Sequence, residues 1–312
     1  MRLSEGIKLF QEQSGIERAP ATTRGYVGNL MQFCRYMRNP LITQVTPEHV
    51  TAYIRDSLEL GWKRNSLVPA SMAIKKFFEF WKRRGYPVLD YQILPVVRKE
   101  GVEPRVATPE VVGKVLEQCE GRDIYSVRNR ALLMMLMDTG MRNGELCSMN
   151  MDVVEKAELH EGQYSHVIRT EKNRGSKPFR RVFWYEEANN ALNQWISLRE
   201  EFVKMFPVKD EDALFIGTKM SHGLGYRMTP FTVGVVLRKL SVKAGVPTLN
   251  AHSLRHYFGM QAAEAGANNS NISDLMGHAT LNSSFVYTHL KGKQLGAVHK
   301  KVKGKSYPQD IA

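Results

Sequence analysis

The chain has 312 residues, with 44 Lys and Arg against 31 Asp and Glu, which gives a net charge of +13. Its length predicts two domains, and its 43% content of hydrophobic residues excludes a mostly disordered chain. No run of about 18 apolar residues occurs and no apolar segment follows Arg2, which argues against a membrane span and a signal peptide. Three widely spaced cysteines argue against a disulfide framework, so we expect a soluble, cytoplasmic protein with reduced thiols.

The positive charge is shared between the two halves of the chain. Residues up to Arg105 carry a net charge of +7 and the remainder carry +6. Lysines and arginines that reach phosphates release condensed counterions, so a basic excess in both domains favours a polyanion that contacts both. Nucleic acid is the leading candidate partner. A membrane surface is disfavoured because no strongly amphipathic basic helix is evident.

Residues 1–95 predict a small helical domain. One helix begins at Thr22 or Thr23, and its apolar residues recur at steps of three and four up to about Asn39. A second has Thr46 as its cap with Pro47 at the first helical position. A third, from about Ser66 to Arg84 with Pro69 in its first turn, has an apolar face and a basic exterior, the candidate DNA-binding surface: Lys75, Lys76, Lys82, Arg83 and Arg84.

Residues 96–107 lack any periodicity and contain proline and glycine, so they are predicted to be a linker. A second domain, 108–292, opens with Thr108-Pro109, and the largely apolar run Val127–Met137 predicts a buried helix. Residues 293–312 form a basic tail, interpreted either as a frayed end or as a segment that docks on another subunit.

A β-hairpin is predicted within the second domain. Tyr164–Thr170 and Arg180–Tyr185 are rich in β-branched and aromatic residues, and they flank a basic, turn-rich loop. Helical patterns then resume at about 187–205, 230–244, 253–266, 269–276 and 281–290. The fold class is therefore mainly α, with one small β-hairpin or sheet in the second domain.

The first polar motif is T-G-M-R-N-G-E-L at Thr139–Leu146, directly after the buried helix. Gly140 would end that helix, so Arg142 would emerge from a corner anchored in the core, with Glu145 three residues on. A guanidinium held in this way offers a fixed fork of donors to a phosphate. The alternative is an ordinary salt bridge between Arg142 and Glu145 that caps a helix.

The second motif is H-S-L-R-H-Y at His252–Tyr257. On a helix His252 and Arg255 would share a face, and an imidazole beside a guanidinium can donate to a phosphate oxygen. A zinc site at His252 and His256 is disfavoured because the glutamate of H-E-x-x-H and a third ligand are missing. We interpret His256 as a structural residue and expect no metal.

The third motif spans Leu275–His289, in which Gly277 predicts a helix end, His278 lies in the bend and Tyr287 lies on a short helix. A lone tyrosine is usually a packing residue. Together with two arginines, a second histidine and a loop lysine, it suggests attack of a tyrosine hydroxyl on a phosphodiester.

In order and spacing, these three motifs resemble those of the tyrosine recombinases, the phage integrase family. The resemblance implies Arg142, His252, Arg255 and His278 around the scissile phosphate, Tyr287 as nucleophile and Glu145 as a supporting acid. It also implies a lysine of the hairpin loop as general acid, which we assign to Lys172, with Lys177 as the alternative. The chain departs from the family in having Gly144 where many members have a small hydroxyl residue.

The resemblance further implies two domains that close around a duplex as a C-shaped clamp. Arg174 and Lys177 of the basic hairpin loop are further candidate DNA-binding residues. Four copies would act on two DNA sites through 3′-phosphotyrosine intermediates and a Holliday junction, without cofactor, metal or ATP. DNA-bending or directionality proteins are expected accessories. Two alternatives remain: a type IB topoisomerase that relaxes DNA, and a catalytically silent DNA-binding protein on the same scaffold.

Overall fold

The computed structural model describes residues 1–17, 20–101, 107–171, 178–218 and 223–277. The chain divides into two compact units, Met1–Glu103 and Pro104–Ala312. Within the described ranges, no helix has the length and apolar character needed to cross a bilayer. The three cysteines are buried free thiols. The predicted helix at 281–290 lies outside the described residues.

The first unit is helical, as expected. Its aromatic core contains fully buried side chains of Phe10, Phe33 and Phe77. Such rings provide much of the apolar area that stabilises a small bundle. A short 3₁₀ turn covers Ile42–Gln44. Among its described residues the α-helices are α1 Leu3–Glu17, α2 Pro20–Tyr36, α3 Pro47–Glu59 and α4 Arg64–Lys82.

Several boundaries in this unit differ from the prediction. Helix α2 begins at Pro20 rather than at Thr22 or Thr23, because proline is well tolerated in a first helical turn. It ends at Tyr36, since Arg38 and Asn39 adopt left-handed backbone conformations with φ near 56°. Helix α4 starts two residues early, so Pro69 lies beyond its first turn.

The second unit surrounds one almost completely buried helix, α6. Leu132, Leu136 and most other residues of that helix are buried, and it packs against the helices Glu186–Met205 and Ala251–Glu264 and the strand Phe179–Tyr185. The predicted helix is confirmed and extends from Ile124 to Thr139, with Arg128 and residues 131–139 buried. In the part of this unit that the structure describes, the α-helices are α5 Pro109–Glu117, α6 Ile124–Thr139, α7 Asn143–Cys147, α8 Glu186–Met205, α9 Pro230–Lys243, α10 Ala251–Glu264 and α11 Asn269–Met276.

The predicted hairpin is part of an antiparallel sheet of three strands in the order β1-β2-β3. Strand β1 is Glu158–His160, β2 is Gln163–Arg169 and β3 is Phe179–Tyr185. Residue Ser165 pairs with Phe183 and Ile168 with Arg180. The sequence did not predict β1 because its three residues are all exposed and show no apolar alternation.

Candidate active site

A left-handed glycine positions Arg142. Helix α6 ends at Gly140, whose φ of 56° turns the chain, and buried Met141 then leads to Arg142 at the start of α7. The backbone N–H of Arg142 donates to Glu145 Oε2 at 2.9 Å, and its Nη1 donates to Oε1 at 2.9 Å. The predicted salt bridge therefore exists. It also holds the guanidinium in place, because Arg142 Nη2 donates to the Gly277 carbonyl at 2.8 Å.

Glu145 is a buried carboxylate that two guanidinium groups share. Its side chain is 0% exposed, and Arg180 Nη2 lies 2.9 Å from its Oε2. Burial alone would raise the pKa of Glu145. The neighbouring Arg180, the Arg142 backbone N–H and the Arg142 charge act in the opposite direction and lower this pKa to about 2. Glu145 is therefore ionised at neutral pH.

Arg255 reaches the same place from helix α10, which Asn250 caps by accepting a hydrogen bond from the Ser253 backbone N–H. The Arg255 side chain is buried. Its Nη1 donates to the Gly140 carbonyl at 2.6 Å, and its Nη2 donates to the Met276 carbonyl. Arg255 therefore joins the ends of α6 and α11.

Three arginines meet three consecutive carbonyl groups at the end of helix α11. Arg180 Nη1 donates to Leu275 at 2.5 Å, Arg255 donates to Met276, and Arg142 donates to Gly277. The last carbonyls of a helix lack helical partners and carry partial negative charge, so they stabilise cations. We call this group the arginine cluster: Arg142, Arg180, Arg255 and Glu145.

The arginine cluster has the charge that an anion site needs. Three guanidinium groups and one carboxylate leave a net charge of +2 among these four side chains, and Arg142 is 17% exposed. Arginine at such a position can bind a phosphate through two parallel N–H donors. The cluster ends at Gly277, a left-handed helix cap with φ of 62°, directly before His278 in the sequence.

His252 lies near the start of α10 and is exposed, one turn ahead of buried Arg255. Its Nε2 lies 2.9 Å from Nε2 of His256. Burial, followed by the charges of His252 and Arg255, lowers the pKa of His256 to about 4. His256 is therefore neutral at physiological pH and can exchange a hydrogen bond with His252, which agrees with a structural role.

Gly144 leaves space for the carboxylate of Glu171. A Cβ at Gly144 would lie 2.6 Å from the carboxyl carbon of Glu171. The backbone N–H of Glu171 donates to Glu145 Oε1 at 3.3 Å. Where many family members have a small hydroxyl residue, this chain has Gly144, and the carboxylate of Glu171 occupies the space beside it. Glu171 directly precedes Lys172 in the sequence.

Five predicted residues lie outside the described parts of the chain, and their roles stay predictions. They are Lys172, Arg174, Lys177, His278 and Tyr287. The described chain fixes both ends of the hairpin loop, because the Thr170 backbone N–H donates to the Pro178 carbonyl at 2.9 Å. Sequence analysis missed Arg180 and Glu171. Alternate residues of β3 face the core, and Arg180 is on the same face of the strand as buried Val182 and Trp184. This alternation could have identified Arg180 as an inward-facing arginine.

The candidate DNA-binding residues on α4 and just after its end at Lys82 are less uniform than predicted. Lys75 and Lys76 are half-buried, whereas Lys82, Arg83 and Arg84 are exposed. Glu79 binds Lys76 at 2.7 Å and Arg83 at 2.6 Å. The guanidinium carbon of Arg84 lies 3.6 Å from the centre of the Phe80 ring. The apolar periodicity predicted the outward direction of these side chains but not their acidic partner.

Two family models match most of the chain. The model of the phage integrase family matches residues 105–294, and the model of the phage integrase N-terminal SAM-like domain matches residues 7–85. The chain belongs to the phage integrase family. This confirms the resemblance predicted from the three motifs, and membership makes the chain a site-specific DNA recombinase, an enzyme that cleaves and rejoins DNA.

Relatives of this integrase-family chain include tyrosine recombinase XerC of Corynebacterium efficiens, 26% identical over 90% of this chain and 84% of the relative. XerC of Haemophilus influenzae is 28% identical over 82% of this chain and 81% of the relative. The fold resembles XerH site-specific recombinase bound to difH substrate, with a TM-score of 0.66 and 21% identity over 92% of this chain and 82% of that one. It also resembles a lambda integrase fragment bound to a core site, with a TM-score of 0.65 and 12% identity over 95% of this chain and 100% of that one.

Proposed function

We propose that this recombinase cleaves DNA by attack of the Tyr287 hydroxyl on a phosphodiester held by Arg142 and Arg255. The tyrosine oxygen bonds to phosphorus, the bond to the 5′-oxygen breaks, and a 3′-phosphotyrosine with a free 5′-hydroxyl results. The observation that carries the proposal is the convergence of both guanidinium groups on the end of α11, which directly precedes His278 in the chain and lies ten residues ahead of Tyr287.

The chemistry explains why these groups are needed. A phosphodiester is anionic, and the transition state places more charge on its nonbridging oxygens, which fixed guanidinium donors stabilise. The tyrosine must lose its proton, and the departing 5′-oxygen must gain one. We assign the second step to Lys172, with Lys177 as the alternative, and a hydrogen bond to the phosphate to each of His252 and His278.

The partner of the enzyme is double-stranded DNA. Structural neighbours are recombinases solved with DNA substrates, in both pre-cleavage and post-cleavage complexes, which supports this assignment. We further propose four copies acting on two duplexes through a Holliday junction, in the cytoplasm, with accessory DNA-bending or directionality proteins. The curated relatives are named recombinases, and nothing in the comparisons supports the topoisomerase or the silent DNA-binding protein.

The decisive test uses a nicked suicide duplex, in which the strand beyond the cut diffuses away and traps the covalent intermediate. Its sequence is taken from inverted repeats around a short spacer in the DNA that flanks the coding sequence. Wild type is expected to form a protein–DNA adduct, while Tyr287→Phe binds the duplex and forms none. Tyr226→Phe, which changes an exposed tyrosine, is the matched control. Normal adduct formation by Tyr287→Phe would reject the nucleophile.

A further inference from the structure

Arg180 connects the sheet to Glu145 and to the end of helix α11. Arg180 lies on strand β3, and its side chain is 5% exposed. Its Nη2 donates to Glu145 Oε2 at 2.9 Å, and its Nη1 donates to the Leu275 carbonyl at 2.5 Å. One guanidinium therefore fixes the distance between the supporting carboxylate and the end of α11.

The backbone around Arg180 is shaped to hold its side chain. A Cβ at Gly277 would lie 2.6 Å from Arg180 Cδ and 2.9 Å from its Nε. Gly277 also has a φ of 62°, a conformation that glycine adopts without strain. The stem of Arg180 thus fills the volume that a side chain at position 277 would need.

Arg180 and Arg142 have different positions relative to solvent. Both Nη atoms of Arg180 are used on Glu145 and Leu275, and its Nε is buried without an acceptor among the described residues. Both Nη atoms of Arg142 are also bonded, to Glu145 and Gly277, but its side chain is 17% exposed against 5% for Arg180. A phosphate can therefore reach Arg142 from solvent, while Arg180 acts on the groups that hold Arg142.

We propose that Arg180 is a positioning residue for strand cleavage, which orients Glu145 and the end of α11 and thereby sets the direction in which Arg142 meets the scissile phosphate. The inference rests on the proposed cleavage reaction. It has a consequence that a simple stability role lacks. Because Arg142 acts on the negative charge of a nonbridging oxygen, the effect of Arg180 should depend on that charge.

The test compares Arg180→Met with wild type on two nicked suicide duplexes. One carries the ordinary phosphodiester, and the other carries a methylphosphonate at the scissile position, which is neutral because a methyl group replaces one nonbridging oxygen. The variant is expected to form adduct about 100-fold more slowly on the phosphodiester and within about threefold of wild type on the methylphosphonate. Arg142→Ala should show the same dependence on charge.

Two further variants complete the experiment. Arg199→Met removes another buried guanidinium, which donates to the Glu211 carbonyl at 2.7 Å, and should change both rates by the same factor. Arg180→Lys keeps the charge but offers a single ammonium group in place of a planar fork. Arg180→Lys should slow adduct formation less than Arg180→Met, with the same dependence on the charge of the scissile group. It replaces Arg180→Met in the test if that variant fails to fold.

Each outcome decides the proposal. Equal slowing on both duplexes, no slowing on either, or failure of both Arg180 variants to fold would assign Arg180 a purely structural role and overturn the inference. Absence of adduct from wild type on the phosphodiester would instead reject strand cleavage itself, and the inference with it.

Discussion

Arg142 shows that one side chain can be both a structural ion-pair partner and a candidate phosphate ligand. Its bonds to Glu145 and to the Gly277 carbonyl hold the guanidinium, and 17% of the side chain remains exposed. Preorganised donors stabilise a transition state without reorganising during the reaction. The two interpretations of the first motif are therefore compatible, since the salt bridge orients the group that would contact phosphate.

The ionised state of Glu145 has a measurable effect on stability. Its pKa falls from 4.5 to about 2 on folding. A lowered pKa stabilises the native state above pH 4.5, and this stabilisation is lost as the pH falls towards 2. For a buried group, the shift corresponds to roughly 3 kcal/mol. The difference in unfolding free energy between wild type and Glu145→Gln, from urea titrations, should therefore shrink by about that amount between pH 6 and pH 2.

Glu110→Gln provides the control for that titration, because Glu110 is a surface carboxylate paired with Lys114. The difference in unfolding free energy between Glu110→Gln and wild type should change much less over the same pH range. A Glu145→Gln difference that stays constant with pH would contradict the buried, ionised carboxylate.

At the same scale, sequence analysis identified residues that belong to short motifs and missed those that act across the fold. Arg142, Glu145 and Arg255 lie in compact motifs, and the structure brings them together at the end of α11. Arg180 was missed because its partners, Glu145 and Leu275, lie 35 and 95 residues away in the chain. Glu171 was missed because the space that its carboxylate occupies depends on the absence of a side chain at Gly144, which is distant in sequence.

Among the elements, two glycines four residues apart should respond differently to alanine. Gly140 has a φ of 56°, and a Cβ there would lie 2.3 Å from the Phe258 ring. Gly140→Ala should therefore destabilise the protein by about 2 kcal/mol or more. At Gly144 the neighbour is the mobile end of a glutamate, and alanine favours the helix, so Gly144→Ala should stay within about 1 kcal/mol of wild type.

Urea denaturation of the two glycine variants provides the measurement. The Gly140→Ala loss should be at least about 1 kcal/mol larger than any Gly144→Ala loss. Equal losses would show that the left-handed end of α6 does not determine the local stability, and would weaken the explanation of how Arg142 is placed.

Helix starts in this chain were predictable when local chemistry defined them. Thr108 occupies the cap of α5, and its hydroxyl accepts a hydrogen bond from the Val111 backbone N–H at 3.3 Å. Thr46 precedes α3 as predicted, and its backbone N–H donates to His49 Nδ1 at 3.1 Å while its hydroxyl lies 3.2 Å from the same nitrogen. Strand β1 was not predictable, because three exposed residues become a strand only by pairing with β2.

For the whole molecule, the net charge of +13 predicts DNA binding that weakens steeply with salt. We propose that the first unit contributes through α4, where Lys82 is exposed and Lys76 is bound to Glu79. Lys82→Gln should lower the slope of log K against log salt by about 1, because one phosphate contact is lost. Lys76→Gln should lower this slope less, because Glu79 already partly neutralises the charge of Lys76.

Filter binding of a duplex over a series of salt concentrations measures both slopes. The paired lysine is the matched control, as it lies on the same helix and carries the same side chain. A slope that is unchanged in Lys82→Gln, or a larger loss in Lys76→Gln, would place the DNA contact of this unit on another surface.

For the whole molecule, we propose that Arg142 and Arg255 of the arginine cluster hold the scissile phosphate. The most direct measurement is the single-turnover rate of adduct formation by Arg142→Ala on the nicked duplex, with binding measured by gel shift. We expect a rate about 1,000-fold below wild type with duplex affinity and melting temperature nearly unchanged. A near-normal rate, or a loss explained entirely by a lower melting temperature, would contradict the account.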